Sequence, residues 1–153
     1  MRYNTGGAAG AASSTAATAG IVKLDNPSSG DLATAAVKSF SVGPGSNSED
    51  SCYAVQWKRQ TTAGTWSAQT ARAVDARNTV AAITLAGTAS TGAGSAGNII
   101  FGPVGFHHNG GIRVVLEPGS ELVLTATASN GIILEYVFVQ GTAVNYGAVL
   151  FEE

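Results

Sequence analysis

Residues 112–139 read IRVVLEPGSELVLTATASNGIILEYVFV, and this stretch decides the fold. Ile112, Val114 and Leu116 alternate around Arg113, the period-two pattern of a strand with one buried face. Glu117-Pro118-Gly119-Ser120 then makes a turn, with proline at the second position and glycine at the third, where a type II turn needs positive φ. Leu122, Leu124, Ala126 and Ala128 alternate against Val123, Thr125 and Thr127. Asn130-Gly131 is a hairpin signal. In the segment that follows, Ile132, Leu134, Tyr136 and Phe138 share one face, while Ile133, Glu135, Val137 and Val139 take the other. Both faces are mostly apolar, so this strand is expected to be covered on both sides.

Upstream the same grammar repeats more faintly. Ile21–Leu24 reads as a short strand closed by Asp25-Asn26-Pro27-Ser28-Ser29-Gly30. Thr34–Val42 follows, and its apolar Val37 and Phe40 fall on opposite parities, which points to a bulge or a two-sided strand. Ser51–Gln60 places Tyr53, Val55 and Trp57 on one face. Trp66–Ala73 and Thr79–Leu85 alternate weakly, with a helix open as an alternative over 69–82. Ala86–Gly97 holds only Ala, Gly, Ser and Thr and is expected to be a surface loop. Asn98–Phe101 is a strand broken by Gly102-Pro103, and Ala148–Phe151 closes the chain before Glu152-Glu153. Short strands at regular spacing, with no long amphipathic helix, predict an all-β antiparallel β-sandwich.

Thr5–Gly20, TGGAAGAASSTAATAG, has no side chain larger than threonine. Such a run has nothing to bury against the ordering cost of roughly 1–2 kcal/mol per residue. On composition such a run reads as a disordered tail or as a docking arm, and the chain is divided into an extended N-terminal arm, residues 1–20, and a sandwich domain, residues 21–153. The arm is tipped by Arg2, Tyr3 and Asn4, which are its candidate contacts with a neighbouring surface. Charged residues are only 12 % of the chain, eight Lys/Arg against ten Asp/Glu. With no basic stripe, nucleic acid is not an expected partner. No apolar run approaches the roughly 20 residues of a helical membrane span, so no membrane partner is expected either. The first residues lack the apolar centre of a signal peptide. Cys52 is the only cysteine, which rules out an internal disulfide and fits synthesis in a reducing cytoplasm. A surface this poor in charge favours an oligomer.

No catalytic, cofactor-binding or metal-binding constellation emerges. Gly92-Ala93-Gly94-Ser95-Ala96-Gly97 has the spacing of a dinucleotide fingerprint, but the strand–turn–helix context that this chemistry needs is missing. His107-His108 would point to opposite faces of a strand, with no acidic or cysteine partner at ligand spacing, and reads as a loop pair. The serines lack a nucleophile elbow. Asp25, Asp31, Asp75, Glu121 and Glu135 are scattered singly, and only folding could pair them as a glycosidase requires. Tyr53 and Trp57 sit at core periodicity. Trp66, after Ala63-Gly64-Thr65, is the best candidate for stacking on a sugar ring.

Three segments carry a resemblance: Leu24–Gly30 leading into Val37–Val42, the strand–E-P-G-x–strand unit Ile112–Leu124, and the closing strands that end in acidic residues. In these the chain resembles the small jelly-roll decoration, or cement, proteins of tailed-bacteriophage capsids. The resemblance spans most of Ile21–Glu153 and rests on patterns rather than on chemical signatures. Gly141–Gly147 and the Ala86–Gly97 run depart from the family pattern. What the resemblance implies is a jelly-roll trimer on the outer surface of the virion head, with the major capsid protein as partner, no cofactor and no enzymatic activity. A second class, a glycan- or receptor-binding module of a head fibre or tail tip, would work through Trp66.

Overall fold

Among the described residues, side-chain alternation and turn chemistry resolve into twelve strands and no helix. The computed structural model describes residues 1–8, 20–44, 52–60, 65–77, 79–92, 96–107, 109–139 and 145–153. The strands are β1 (Arg2–Ala8), β2 (Gly20–Asp25), β3 (Ala35–Pro44), β4 (Cys52–Gln60), β5 (Thr65–Gln69), β6 (Arg72–Ala73), β7 (Leu85–Gly92), β8 (Ala96–His107), β9 (Ile112–Val115), β10 (Leu122–Leu124), β11 (Gly131–Val139) and β12 (Asn145–Glu152). They form two antiparallel sheets, the expected β-sandwich. One sheet runs β10-β3-β12-β1-β6, with β9 beside β3, and the other runs β5-β7-β2-β11-β4-β8. From β1 to β4 the chain changes sheet at every connection, and it does so again between β10, β11 and β12.

The core lies where the inner faces meet. Tyr3, Val37, Phe40, Val42, Leu124, Val149 and Phe151 come from the first sheet, and Val22, Leu24, Tyr53, Val55, Trp57, Ile132, Leu134 and Tyr136 from the second. Trp57 is fully buried and meets Phe40 edge-on, with ring centroids 5.6 Å apart. Burying a large side chain of this kind stabilises the fold by about 2–3 kcal/mol. The opposite parities of Val37 and Phe40 have the bulge they called for. Pairing with β12 steps from Leu150↔Ser39 to Phe151↔Val37, leaving Lys38 extra and both apolar residues buried. The Glu117–Ser120 turn is also as read, with Gly119 at φ +90° and the Ser120 amide donating to the Glu117 carbonyl at 2.9 Å.

Several local expectations give way to long-range pairing. Residues 2–8, read as part of a free arm, are a strand paired with β12 from Arg2↔Glu152 to Ala8↔Tyr146. The rest of the arm, 9–19, lies outside the described residues. Thr79–Thr84 is not a strand, whereas the start of the small-residue run, expected to be a loop, is β7, paired with β2 on one edge and β5 on the other. Backbone hydrogen bonds on both edges hold it, so it needs no large side chains. Gly102-Pro103 does not end β8, and the register against β4 shifts there instead. Asn130-Gly131 makes no hairpin, because β10 pairs with β3 in one sheet and β11 with β2 and β4 in the other. That crossing is tied by buried Asn26. Its side-chain amide donates to the Ala33 and Thr125 carbonyls at 2.9 and 2.7 Å, and its carbonyl accepts from the Ala33 amide.

Candidate functional site

The residues nominated at the arm tip meet the other end of the chain. The Met1 ammonium donates to the Glu153 carbonyl, and the Glu153 amide donates back to Met1 at 2.8 Å. Tyr3 points inward, 2 % exposed, and stacks on Phe151 with centroids 5.5 Å apart. Burial, aided by the Glu153 carboxylate, raises its phenol above the ordinary tyrosine range. Arg2 and Asn4 point outward; the Arg2 guanidinium lies 3.7 Å from Glu152. Of the three nominated contacts, then, Arg2 and Asn4 remain on the surface and Tyr3 belongs to the chain's own core.

Around this seam lies an exposed apolar rim. The Val74 amide donates to the Arg2 carbonyl at 3.0 Å, and the Ile83 and Thr84 amides donate to the Glu153 carboxylate. The Tyr3 hydroxyl reaches the Val80 carbonyl at 3.4 Å. These bonds fix the backbone while the side chains of Val74, Val80, Ile83 and Leu85 face out. Exposed apolar residues gathered on one rim, in a chain this poor in charge, are a feature of contact surfaces. In sequence Val80, Ile83 and Leu85 fall within the weak alternation of Thr79–Leu85, and Val74 lies outside it.

The second concentration of chemistry is on the second sheet, on the face turned away from the core. There the acids that seemed isolated each find a lysine. Lys23 pairs with Asp25 across one intervening residue, and Glu135 accepts from Lys58 at 2.6 Å and from Gln56 at 2.8 Å. Glu135 is 2 % exposed, and Lys23 and Asp25 are also buried. Burial pushes the Asp25 carboxyl up, and the hydrogen bond and charge of Lys23 act against it. Asp25 pairs with Gly131, four residues along β11 from Glu135, so the two positions stand about 13 Å apart along the sheet.

Trp66 folds onto this same face. A Cβ at Gly20 would sit 2.3 Å from the indole edge, and one at Gly87 would sit 3.1 Å from the Trp66 Cβ. The two small-residue runs thus supply glycines under the indole. The Lys23 ammonium lies 5.4 Å from the ring centroid, a cation–π distance. Beside Trp66 opens a cavity of about 310 Å³ whose polar lining comes from Lys23, Gln69, Thr70 and Thr84 and whose apolar lining comes from Leu85 and alanines. Trp66 Nε1 and Thr84 Oγ1 are buried with no hydrogen-bond partner among the described residues.

Elsewhere, Lys38 on its bulge bridges Glu121 at 3.0 Å and Glu152 at 3.4 Å. Its hydrogen bond lowers the Glu152 carboxyl below the ordinary 4.5. Backbone donors, then Lys38, do the same for Glu121. His107 ends β8, exposed, and His108 lies outside the described residues. No group of three His, Cys, Asp or Glu side chains among the described residues could hold a metal ion. The glycine fingerprint spans the end of β7 and the start of β8, with 93–95 outside the described residues and a strand rather than a helix after it. No protein-family model, curated protein or solved structure matches the chain.

Proposed function

We propose that this chain is a structural protein of a bacteriophage virion, without enzymatic activity, that decorates the outer surface of the head shell as a homotrimer bound to the major capsid protein. The observation that carries this reading is the apolar rim of Val74, Val80, Ile83 and Leu85 beside the seam of the chain ends. Such a rim is stable in water when another protein surface covers it. Arg2 and Asn4 stand at the same place and supply polar contacts at its border.

The resemblance supports the reading from a second side, and its segments have structural roles here. Asn26 of the N-P turn ties the crossing between sheets, and the E-P-G-S turn joins two strands that both pair with β3. The order β2-β11-β4-β8, facing β3 with β9 and β10 beside it, agrees with a jelly-roll winding. In this reading the protein is made in the host cytoplasm and takes its place on the shell without a cofactor.

Immunogold labelling of particles assembled from the genome that encodes this chain tests the proposal. Label on the head surface of intact particles is the expected result. Label confined to tails, or unlabelled heads, would overturn it.

The Trp66 cavity favours one other reading, a glycan-binding module of a head fibre or tail tip. An indole flanked by Lys23, Gln69 and Thr84 offers a stacking surface with polar groups at its edge. Glycan-array binding that disappears in Trp66→Ala and in Gln69→Ala, both still folded, would promote it above the first.

A further inference from the structure

β1 is bound to the domain in a way that separates it from the rest of the fold. Its whole length pairs with β12, whereas its other edge is met only near its start, by β6 at Tyr3 and Asn4 and by the Val74 amide at the Arg2 carbonyl. The groups that receive it, Phe151, Val80, Glu152 and Glu153, all lie far along the chain from it. Between β1 and β2 stand the eleven residues 9–19, all Ala, Gly, Ser or Thr. Eleven residues reach at most about 40 Å. A domain of this length has a radius of gyration of about 15 Å, hence a diameter near 38 Å. The connection is therefore long enough to carry β1 to a neighbouring copy.

The receiving groove is shaped for this strand. Tyr3 fills the pocket against Phe151, and Thr5 is buried behind it. At position 6 a Cβ would meet the Gly147 carbonyl oxygen at 2.4 Å, so only glycine lets the strand lie this close to β12. An identical strand from a second copy would make the same contacts, so the balance between closed and exchanged forms rests on effective concentration. The apolar rim tips that balance. Val74 and Val80 flank the point where β1 enters and stay exposed when the chain closes on itself. A neighbour's body drawn in by exchange would cover them.

We propose that β1 is exchanged between copies: Arg2–Ala8 of one chain lie beside β12 of the next, and a cyclic exchange closes the trimer. This rests on the oligomeric reading above and gives the arm its occupant, a second copy of this chain.

The experiment uses purified chains with no shell present, so its failure and that of the shell reading are distinguishable. Asn4 and Leu150 are paired across β1 and β12, where Cβ atoms stand about 4.5–5.5 Å apart, near enough for a disulfide after slight adjustment. Chains carrying Asn4→Cys are coexpressed with chains carrying Leu150→Cys, each also Cys52→Ser, and then oxidised. Exchange yields a covalent mixed dimer at twice the 15.3 kDa chain mass. Monomer bands alone would overturn it. Sedimentation gives a readout free of cysteine chemistry. The full chain should sediment as an oligomer. A monomeric full chain would also overturn the proposal.

Discussion

β1 and β7 are both strands with few large side chains, yet they are held in opposite ways. β7 lies inside its sheet, paired on both edges, with Trp66 and Lys23 packed over Gly87. β1 runs along β12 and depends on one aromatic anchor, Tyr3. Small residues therefore mean different things in the two places. In β7 they make room for the indole of β5, and in β1 they let the backbone lie close against β12. A strand paired along both edges opens only with the domain, whereas a strand paired in full on one edge and over only a few residues on the other opens locally.

The largest effect should come from β7. Ala86→Pro removes a backbone donor between β2 and β5 and is expected to cost about 3 kcal/mol or more, read as loss of cooperative urea unfolding. A soluble variant with an unchanged midpoint would break the contrast. Tyr3→Ala should cost about 2–3 kcal/mol, less than the usual core aromatic because β1 can leave without the rest. Hydrogen exchange should then quicken in the amides of β1 while those of β7 stay protected; equal loss in both would show that the strands are not distinct. Gly6→Val should cost about 1–3 kcal/mol by forcing β1 off the Gly147 carbonyl, with the same pattern of exchange. Protection of β1 unchanged in that variant would contradict the close approach.

The smallest effect belongs to Lys38, which ties β3 to Glu121 and to Glu152 of β12, the strand that receives β1. Both carboxyls lie below their ordinary value in the folded state. Their contribution is therefore present above pH 4.5 and is lost as pH falls through the lowered folded values. Lys38→Met should flatten the fall in melting temperature over that acid range. An acid limb as steep as that of the parent protein would assign it to other groups.

Much of this fold could be read in the sequence because inward-facing residues recur every second position. Tyr53, Val55 and Trp57, and Ile132, Leu134 and Tyr136, were legible on that ground, and all six are buried. β1 and β7 were not, because their stability comes from backbone pairing with distant strands and leaves no side-chain period. The sheet change at Asn130-Gly131 leaves no mark in the sequence for a related reason. Two strands that look like a hairpin are claimed by better partners, β3 for one and β2 and β4 for the other. The lysine partners of Asp25 and Glu135 lie on the same face of the sheet, and only the register across β2, β11 and β4 shows that Lys58 reaches Glu135. Trp66 was visible as a candidate, but not the glycines 20 and 87 that receive it.

A cryo-electron microscopy reconstruction of the virion head tests the account most directly. It should contain this sandwich in threes on the outer shell surface, with Arg2–Ala8 of each chain lying beside β12 of its neighbour. A head with no such density, or one in which every β1 pairs with its own β12, would contradict it.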